Sequence, residues 1–246
     1  MSSLKKTSTL PPEDSISKDE MKTEIERMKK RLFELQDLLY ADHRFSVLVI
    51  VQGMDASGKD GLINHAFSGM NPAGIRVYSW KKPTETELEH DFLWRIHQAT
   101  PGKGMIHVFN RSHYEDIVVP TIFKTLPSKT IKKRFEMINQ FENLLIESGT
   151  LVLKFYLHVS EKEQLERIEE RLTMPSKMWK YNKDDMFTIK QRERFMDVYE
   201  TIFKECAQYV PWHIIPADKN KYKEYALLKV LLEEMEKLKL SYPLVK

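Results

Sequence analysis

The feature that most constrains the fold is a strand-like segment that runs directly into a glycine-rich turn, LVIVQGMDASGKDG, from Leu48 to Gly61. Its apolar start is typical of a strand buried on both faces of a parallel sheet. The turn has the spacing Gly53-x-x-x-x-Gly58-Lys59, and a helical pattern follows it. In this context a turn binds phosphate through its backbone N–H groups, the positive end of the helix and the lysine. The segment therefore predicts a phosphate-binding loop.

The loop departs from the usual motif in carrying two carboxylates. Asp60 stands where a Ser or Thr normally holds magnesium, and its position in the first turn of a helix suits an interaction with the helix dipole. Asp55 lies within the loop, where it would repel phosphate unless a cation intervened. Magnesium is usually held by one or two carboxylates together with phosphates. We therefore expect Asp55 to bind the metal or to contact the phosphoryl acceptor.

Four later segments repeat the strand pattern, and helical stretches separate them. Thr84 with Glu87, and Ser160 with Glu163, have the spacing of a capping box at the start of a helix. Strands that alternate with helices predict an α/β fold, a three-layer α/β/α sandwich around a parallel sheet. The five predicted strands cover residues 45–53, 74–80, 104–110, 150–160 and 212–218.

An amphipathic helix is predicted before the first strand, starting at a capping box of Ser17 and Glu20. Its apolar stripe would pack either on the domain or on a partner subunit. The Ser-, Thr-, Lys- and Pro-rich residues 1–16 are expected to be a flexible arm, and residues 17–246 one domain. The stripe consists of Met21, Ile25, Met28, Leu32, Leu35 and Leu39.

Composition narrows the class of protein. The chain has 246 residues, 41% hydrophobic and 30% charged, which suits one soluble domain. Its net charge of +3 gives no argument for nucleic acid as a partner, so polyanion binding must come from local clusters. The single cysteine, Cys206, excludes an internal disulfide and a cysteine-based zinc site. With no apolar run long enough to span a membrane, we expect a cytoplasmic protein without a membrane partner.

A second polar cluster follows the third predicted strand, in the sequence VFNRSHYEDI. The carboxyl ends of parallel strands meet at one edge of the sheet, so this cluster should lie beside the phosphate loop. Asn110 can bind a metal or its waters, Arg111 can grip phosphate, and Glu115 follows within a turn. His113 is expected to have a positioning role because phosphoryl transfer needs little acid–base help.

Further cations cluster on the same predicted edge. Lys81 and Lys82 follow the second strand, and Arg95 lies in the next helical stretch. A basic, irregular segment with an aromatic pair, Trp179 and Tyr181, suits a lid over phosphates at about residues 168–190. These cations exceed what one nucleotide would require, which points to a longer polyanion.

Six blocks of the sequence resemble the polyphosphate kinase family 2, and the similarity runs from about residue 25 to the C-terminus. The resemblance implies a P-loop kinase fold with a helical lid, and reversible, magnesium-dependent transfer between inorganic polyphosphate and AMP or ADP. Manganese is the alternative ion, and guanine nucleotides remain open beside adenine ones. The blocks are GMDASGKDG, ELEHDFLWR, FNRSHYEDI, GTLVLKFYLHVS, RLTMPSKMWKY and PWHIIPADK.

Carried onto matching positions, the resemblance implies roles for five residues: a loop acid and lysine, the arginine after the third strand, a lid arginine and a lysine facing polyphosphate. They are Asp55, Lys59, Arg111, Arg171 and Lys81. Much of the family has Asp where Asn110 stands here, and NRSHYE, with Glu115, looks like the branch that phosphorylates both AMP and ADP. Either residue could complete the metal site with Asp55. The expected catalytic residues are Asp55, Lys59, Arg111 and Arg171, and the expected substrate-binding residues are Gly53, Ala56, Ser57, Gly58, Asp60, Gly61, Lys81, Lys82, Arg95, Ser112 and Lys180.

Two other functions stay open. An ATP-dependent nucleoside monophosphate kinase of the thymidylate kinase type would share the loop, the lid and the arginine after the third strand. It would ordinarily have Ser or Thr after the loop lysine. A non-catalytic module would bind polyanions without turnover, with the amphipathic helix on a partner. If the protein is a polyphosphate kinase, we expect a homodimer or a homotetramer.

Overall fold

The computed structural model describes residues 3–182 and 184–244, with the backbone alone for residues 184 and 185. Residues 1, 2, 183, 245 and 246, which belong to the expected arm, lid and C-terminal end, lie outside the described residues. Within the described ranges, the strands are β1 (Ser46–Gly53), β2 (Ile75–Ser79), β3 (Ile106–Asn110), β4 (Thr150–His158) and β5 (Trp212–Pro216).

The helices alternate with the strands, as the sequence predicts. Short 3-10 helices occupy Leu4–Lys6 and Pro72–Gly74. The α-helices are α1 (Lys18–Asp42), α2 (Lys59–Ala66), α3 (Glu85–Leu88), α4 (Trp94–Gln98), α5 (Glu115–Phe123), α6 (Ser128–Glu147), α7 (Glu161–Thr173), α8 (Pro175–Met178), α9 (Asp184–Lys190), α10 (Arg192–Glu205) and α11 (Asn220–Glu236).

The strands form one parallel sheet in the order β2-β3-β1-β4-β5. Alternate residues of β1 face opposite cores, Val47 and Val49 on one side and Leu48 and Ile50 on the other. Helices α1, α2 and α11 cover the first face, and α5, α6 and α10 cover the second. This is the predicted three-layer α/β/α sandwich, and β1 at its centre delivers the phosphate loop to the carboxyl edge.

Helix α1 uses its apolar stripe inside the chain. All six predicted stripe residues are buried, and the helix packs on α11 and the sheet. The capping box is also present, since the Ser17 hydroxyl accepts from the Glu20 N–H and the Glu20 carboxylate accepts from the Ser17 N–H. Of the two locations considered for the stripe, packing within the domain is the one observed.

The N-terminal segment expected to be flexible makes specific contacts from Ser3 onward. Leu4 is buried in the core, and Glu200 accepts hydrogen bonds from the Leu4 N–H at 2.6 Å and the Ser3 hydroxyl at 2.7 Å. Farther along, Thr9 Oγ1 donates to Asp218 Oδ2 at 2.8 Å. The polar composition of this segment did not indicate that Leu4 would be buried in the core. Nor did it indicate the hydrogen bonds to Glu200 and Asp218, which are distant in sequence.

None of the helices in the described ranges is long and apolar enough to cross a membrane.

Candidate active site

The phosphate loop joins β1 to α2 and is closed around its lysine. The Lys59 ammonium donates to the carbonyls of Gly53 at 2.7 Å and Met54 at 3.1 Å. Gly58 precedes α2 with φ +88°, a left-handed backbone conformation that strains any residue with a Cβ, so this position favours glycine. Burial, and then the nearby Arg111, lower the pKa of Lys59 from its ordinary 10.5 to about 8.

Arg111 follows β3 in a left-handed backbone conformation, which directs its side chain toward the loop. Arg111 has φ +66°, and its backbone N–H donates to Val51 O of the neighbouring strand at 3.0 Å. Its guanidinium donates to Asp55 Oδ1 at 2.7 Å, while Thr188 donates to Asp55 Oδ2 at 2.7 Å. Burial alone would raise the pKa of Asp55, but Arg111 and Lys59 outweigh burial and keep it below its ordinary value. The loop carboxylate is thus ionised and held by a cation.

A cavity of about 520 Å³, here called the phosphate cavity, opens over the loop. All four residues expected to be catalytic line it, and Lys81 and Lys180 extend its positive wall. The Lys180 ammonium lies 5.1 Å above the ring of Trp179, which is 77% exposed. Expected substrate-binding residues in the lining are Ala56, Gly58, Asp60, Gly61, Lys81 and Lys180.

A second, smaller cavity of about 160 Å³ adjoins the first and is here called the aromatic cavity. The two share Asp55, Arg111 and Asn182. Gly53 and Glu115 lie in its lining, and burial raises the pKa of Glu115. The rest of the wall is largely apolar and includes Val118, Phe123, Phe187, Phe195 and Tyr199.

Four expected substrate-binding residues lie outside both linings as the structure describes them: Ser57, Lys82, Arg95 and Ser112. Arg95 is buried and contacts the backbone of Lys81 rather than the cavity. It donates to Lys81 O at 3.0 Å and forms an ion pair with Asp116 at 3.5 Å. Ser112 is buried, and its hydroxyl accepts from the Tyr114 N–H at 3.2 Å. Ser57, within the loop, is also buried, and its hydroxyl lies 3.5 Å from the Lys59 ammonium.

The three expected metal residues divide between the cavities. Asn110 lines the phosphate cavity and donates to Asp60 Oδ1 at 2.6 Å, Glu115 lines the aromatic cavity, and Asp55 lines both. Within the described part of the chain, no group of three or more His, Cys, Asp or Glu side chains could hold a metal ion. Carboxylates this sparse fit a hard cation that takes its other ligands from phosphates and water.

Several residues of the site carry no motif that reveals them in the sequence. Gln164 and Arg167 of α7 donate to loop carbonyls, and Lys223 of α11 lies 3.4 Å from Ser57 O. Burial, followed by the adjacent Arg167, lowers the pKa of Lys223 to about 7. A spacing of one helical turn from Gln164 through Arg167 to Arg171 was the available signal, since it puts them on one helix face.

A phosphate loop after the central strand of a five-stranded parallel sheet, with cations converging on it, defines a P-loop kinase-like protein. A sequence model of the family described as Polyphosphate kinase 2 (PPK2) matches residues 15–242. The chain belongs to that family.

Relatives and solved structures agree with the family. The chain is 44% identical to an AMP/ADP-polyphosphate phosphotransferase from Meiothermus ruber, over 88% of this chain and 81% of the relative. It is 39% identical to an ADP-polyphosphate phosphotransferase from Rhodopseudomonas palustris, over 91% and 80%. The crystal structure of polyphosphate kinase 2 from Arthrobacter aurescens TC1 has a TM-score of 0.95 and 34% identity, covering 99% of this chain and 88% of that one.

Proposed function

We propose that the protein transfers phosphoryl groups from inorganic polyphosphate to AMP or ADP, reversibly and with magnesium. The single observation that carries the proposal is the convergence of Asp55, Lys59, Arg111 and Arg171 on one cavity whose wall continues in Lys81 and Lys180. The names of the two relatives described above support the substrates.

We assign the polyphosphate chain to the phosphate cavity and the acceptor nucleotide to the aromatic cavity. The lysines along the first match a repeating anion, while the aromatic and apolar wall of the second suits stacking of a nucleobase. Asp55 and Arg111 lie where the cavities meet, so donor and acceptor phosphates would approach there.

In this reaction the protein would position the two phosphates and stabilise the negative charge of the transition state. An oxygen of the nucleotide's terminal phosphate attacks the terminal phosphorus of the chain in line, and the shortened polyphosphate leaves. Lys59 would release its loop carbonyls and bind the transferring group, and Arg111 and Arg171 would stabilise the charge that spreads over its oxygens. Magnesium, when bound, would be held by Asp55 with Asn110 or Glu115, and would offset repulsion between carboxylate and phosphates. Residues 168–190 would close as a lid and exclude water.

The decisive experiment incubates the purified protein with magnesium, polyphosphate and AMP or ADP, in the absence of ATP. We expect ADP from AMP and ATP from ADP, with Lys59→Met as the inactive control. Product from ATP and a nucleoside monophosphate alone would instead support a nucleoside monophosphate kinase. Polyphosphate binding without any turnover would support a binding module. Replacing magnesium by manganese, and adenine by guanine nucleotides, would define the cofactor and the base.

We also propose a cytoplasmic homodimer or homotetramer. With the α1 stripe buried inside the chain, the exposed apolar side chains Met137 and Leu144 of α6 are the better candidates for a subunit contact. Light scattering coupled to size-exclusion chromatography measures the oligomeric state, and Leu144→Glu should shift it toward the monomer.

A further inference from the structure

Three successive backbone carbonyls of the phosphate loop accept hydrogen bonds from one helix, α7. Gln164 Nε2 donates to Asp55 O at 2.7 Å. The Arg167 guanidinium donates to Ala56 O at 3.0 Å and to Ser57 O at 2.8 Å through the same nitrogen. We call this arrangement of two side chains and three carbonyls the carbonyl clamp.

The clamp acts on a part of the loop with an unfavourable backbone. Ala56 has φ +58°, a left-handed conformation that residues with a Cβ rarely adopt. A loop whose N–H groups converge on an anion must turn its carbonyls away, and those carbonyls need donors of their own. Gln164 and Arg167 supply the short hydrogen bonds to these carbonyls, and the Lys223 ammonium is a longer second donor to Ser57 O at 3.4 Å.

The clamp is itself anchored. Gln164 is fully buried, and its Oε1 accepts a hydrogen bond from Arg192 of α10. Arg167 also donates to Ala217 O at 2.8 Å, after β5, and pairs with Glu163 at 3.0 Å. Apolar contact adds to these bonds, because Ala56 packs in a small buried cluster with Ile168 of α7 and Ile189 of α9.

We propose that Gln164 and Arg167 are positioning residues that hold the loop N–H groups in the direction that binds the phosphate chain. They touch no phosphate themselves and act through the backbone of Asp55, Ala56 and Ser57. Arg171 lies one turn beyond Arg167 on the same helix and lines the phosphate cavity, so α7 fixes the loop and carries a cation facing it. The effect on turnover rests on the proposed function; the effect on phosphate binding does not.

Two substitutions of Gln164 isolate the donor. Gln164→Glu keeps the size of the side chain and an acceptor for Arg192 but cannot donate to Asp55 O when ionised. Gln164→Met keeps the approximate volume and removes both the donor and the acceptor. We expect both to lower kcat/KM for polyphosphate at least about tenfold, the scale of leaving one buried carbonyl unpaired. If kcat/KM fell only in Gln164→Met, the lost interaction would be the one with Arg192. That result would overturn the role of the hydrogen bond from Gln164 to Asp55 O.

A graded pair tests Arg167. Arg167→Lys retains a charge but cannot reproduce the planar fork of donors, whereas Arg167→Met removes every donor. We expect kcat/KM to fall about tenfold in the first and about a hundredfold in the second. Lys162→Met, an exposed cation on the same helix, is the matched control and should retain wild-type kinetics.

Binding without catalysis separates this inference from the proposed function. Calorimetry with tripolyphosphate and magnesium at 20 °C, on protein shown to be folded by circular dichroism, should give affinities at least about tenfold weaker in Gln164→Glu and Arg167→Met. A purely structural role would lower the melting temperature but leave the affinity of the folded fraction unchanged, and that result would overturn the clamp. If the wild type lacked turnover but bound tripolyphosphate more tightly than the variants, that result would support the clamp and contradict the proposed activity.

Discussion

At the scale of single residues, the site depends on two left-handed residues that are not glycine. Ala56 and Arg111 have φ +58° and +66°, and each follows a strand that ends at the carboxyl edge. Such conformations cost free energy and persist where surrounding contacts hold them. For Arg111 those contacts are the backbone bond to Val51 and the ion pair with Asp55.

Arg111→Lys is expected to lower kcat about a hundredfold or more, because lysine cannot reach Asp55 and a phosphate with a rigid fork of donors. Steady-state kinetics with polyphosphate and AMP measure the change. Arg76→Lys, an exposed arginine on β2, is the control and should have little effect. A kcat within twofold of wild type for Arg111→Lys would contradict the role given to this guanidinium.

The lowered pKa of Lys59 predicts the pH dependence of the reaction. The lysine is protonated below about pH 8 and loses its charge as the pH rises through that value. Because kcat/KM reports ionisations of the free enzyme, it should decline above about pH 8. In Lys59→Arg the guanidinium stays protonated, so any remaining activity should lose this decline. A wild-type profile that is level between about pH 7 and about pH 9.5 would rule out the assignment.

At the scale of elements, a fully buried ionic network links β4 and α6 to the residues that flank α5 and α10. Lys154 of β4 donates to Glu142 of α6 at 2.6 Å, to Tyr114 Oη at 3.0 Å and to Cys206 O at 2.6 Å. Tyr114 immediately precedes α5, and its hydroxyl donates to Glu142 at 2.7 Å. The network therefore connects the core with the segment that carries Arg111.

Glu142→Gln should destabilise the protein by about 3–5 kcal/mol, since it leaves the buried Lys154 ammonium without a counter-charge. Urea denaturation measures the loss, and Glu147→Gln, on the exposed surface of the same helix, provides the comparison. Adding Lys154→Met to Glu142→Gln should recover part of the stability. If the two single substitutions were additive in the double variant, the pair would not be coupled.

Elements were more predictable from the sequence than their contacts. The five strands and the α1 stripe follow from local patterns of apolar residues and caps, which are encoded over a few neighbouring positions. Arg95 illustrates the limit: we expected it to bind substrate on the same edge of the sheet as Lys81, but its burial against Asp116 depends on where α4 packs. Gln164 and Arg167 were missed because their partners lie more than 100 residues earlier in the chain.

At the scale of the whole molecule, the N-terminal segment ties the first residues of the chain to its C-terminal third. Leu4 belongs to the core on the α10 side of the sheet, and Thr9 reaches Asp218 after β5. Serine, threonine and lysine dominate this segment, so the sequence alone predicts no core residue in it. Packing against distant elements decides its conformation.

Leu4→Ala is expected to destabilise the protein by about 2–5 kcal/mol, because it removes a buried side chain from a packed core. Leu10→Ala is a matched control in the same segment, where the side chain is 49% exposed, and should change stability by less than about 1 kcal/mol. Midpoints of urea unfolding compare the two. Equal midpoints would mean that the segment contributes nothing to the core.

The buried position of Cys206 has a practical consequence for measuring conformational change by fluorescence labelling. Burial raises the pKa of Cys206 to about 12, so its thiol should resist alkylating dyes in the folded state. A thiol introduced by Ser176→Cys, on the exposed surface of α8, would then be the only reactive one. Fluorophores could be attached there without first removing a native cysteine, and changes in their emission on adding polyphosphate would test whether residues 168–190 close over the site.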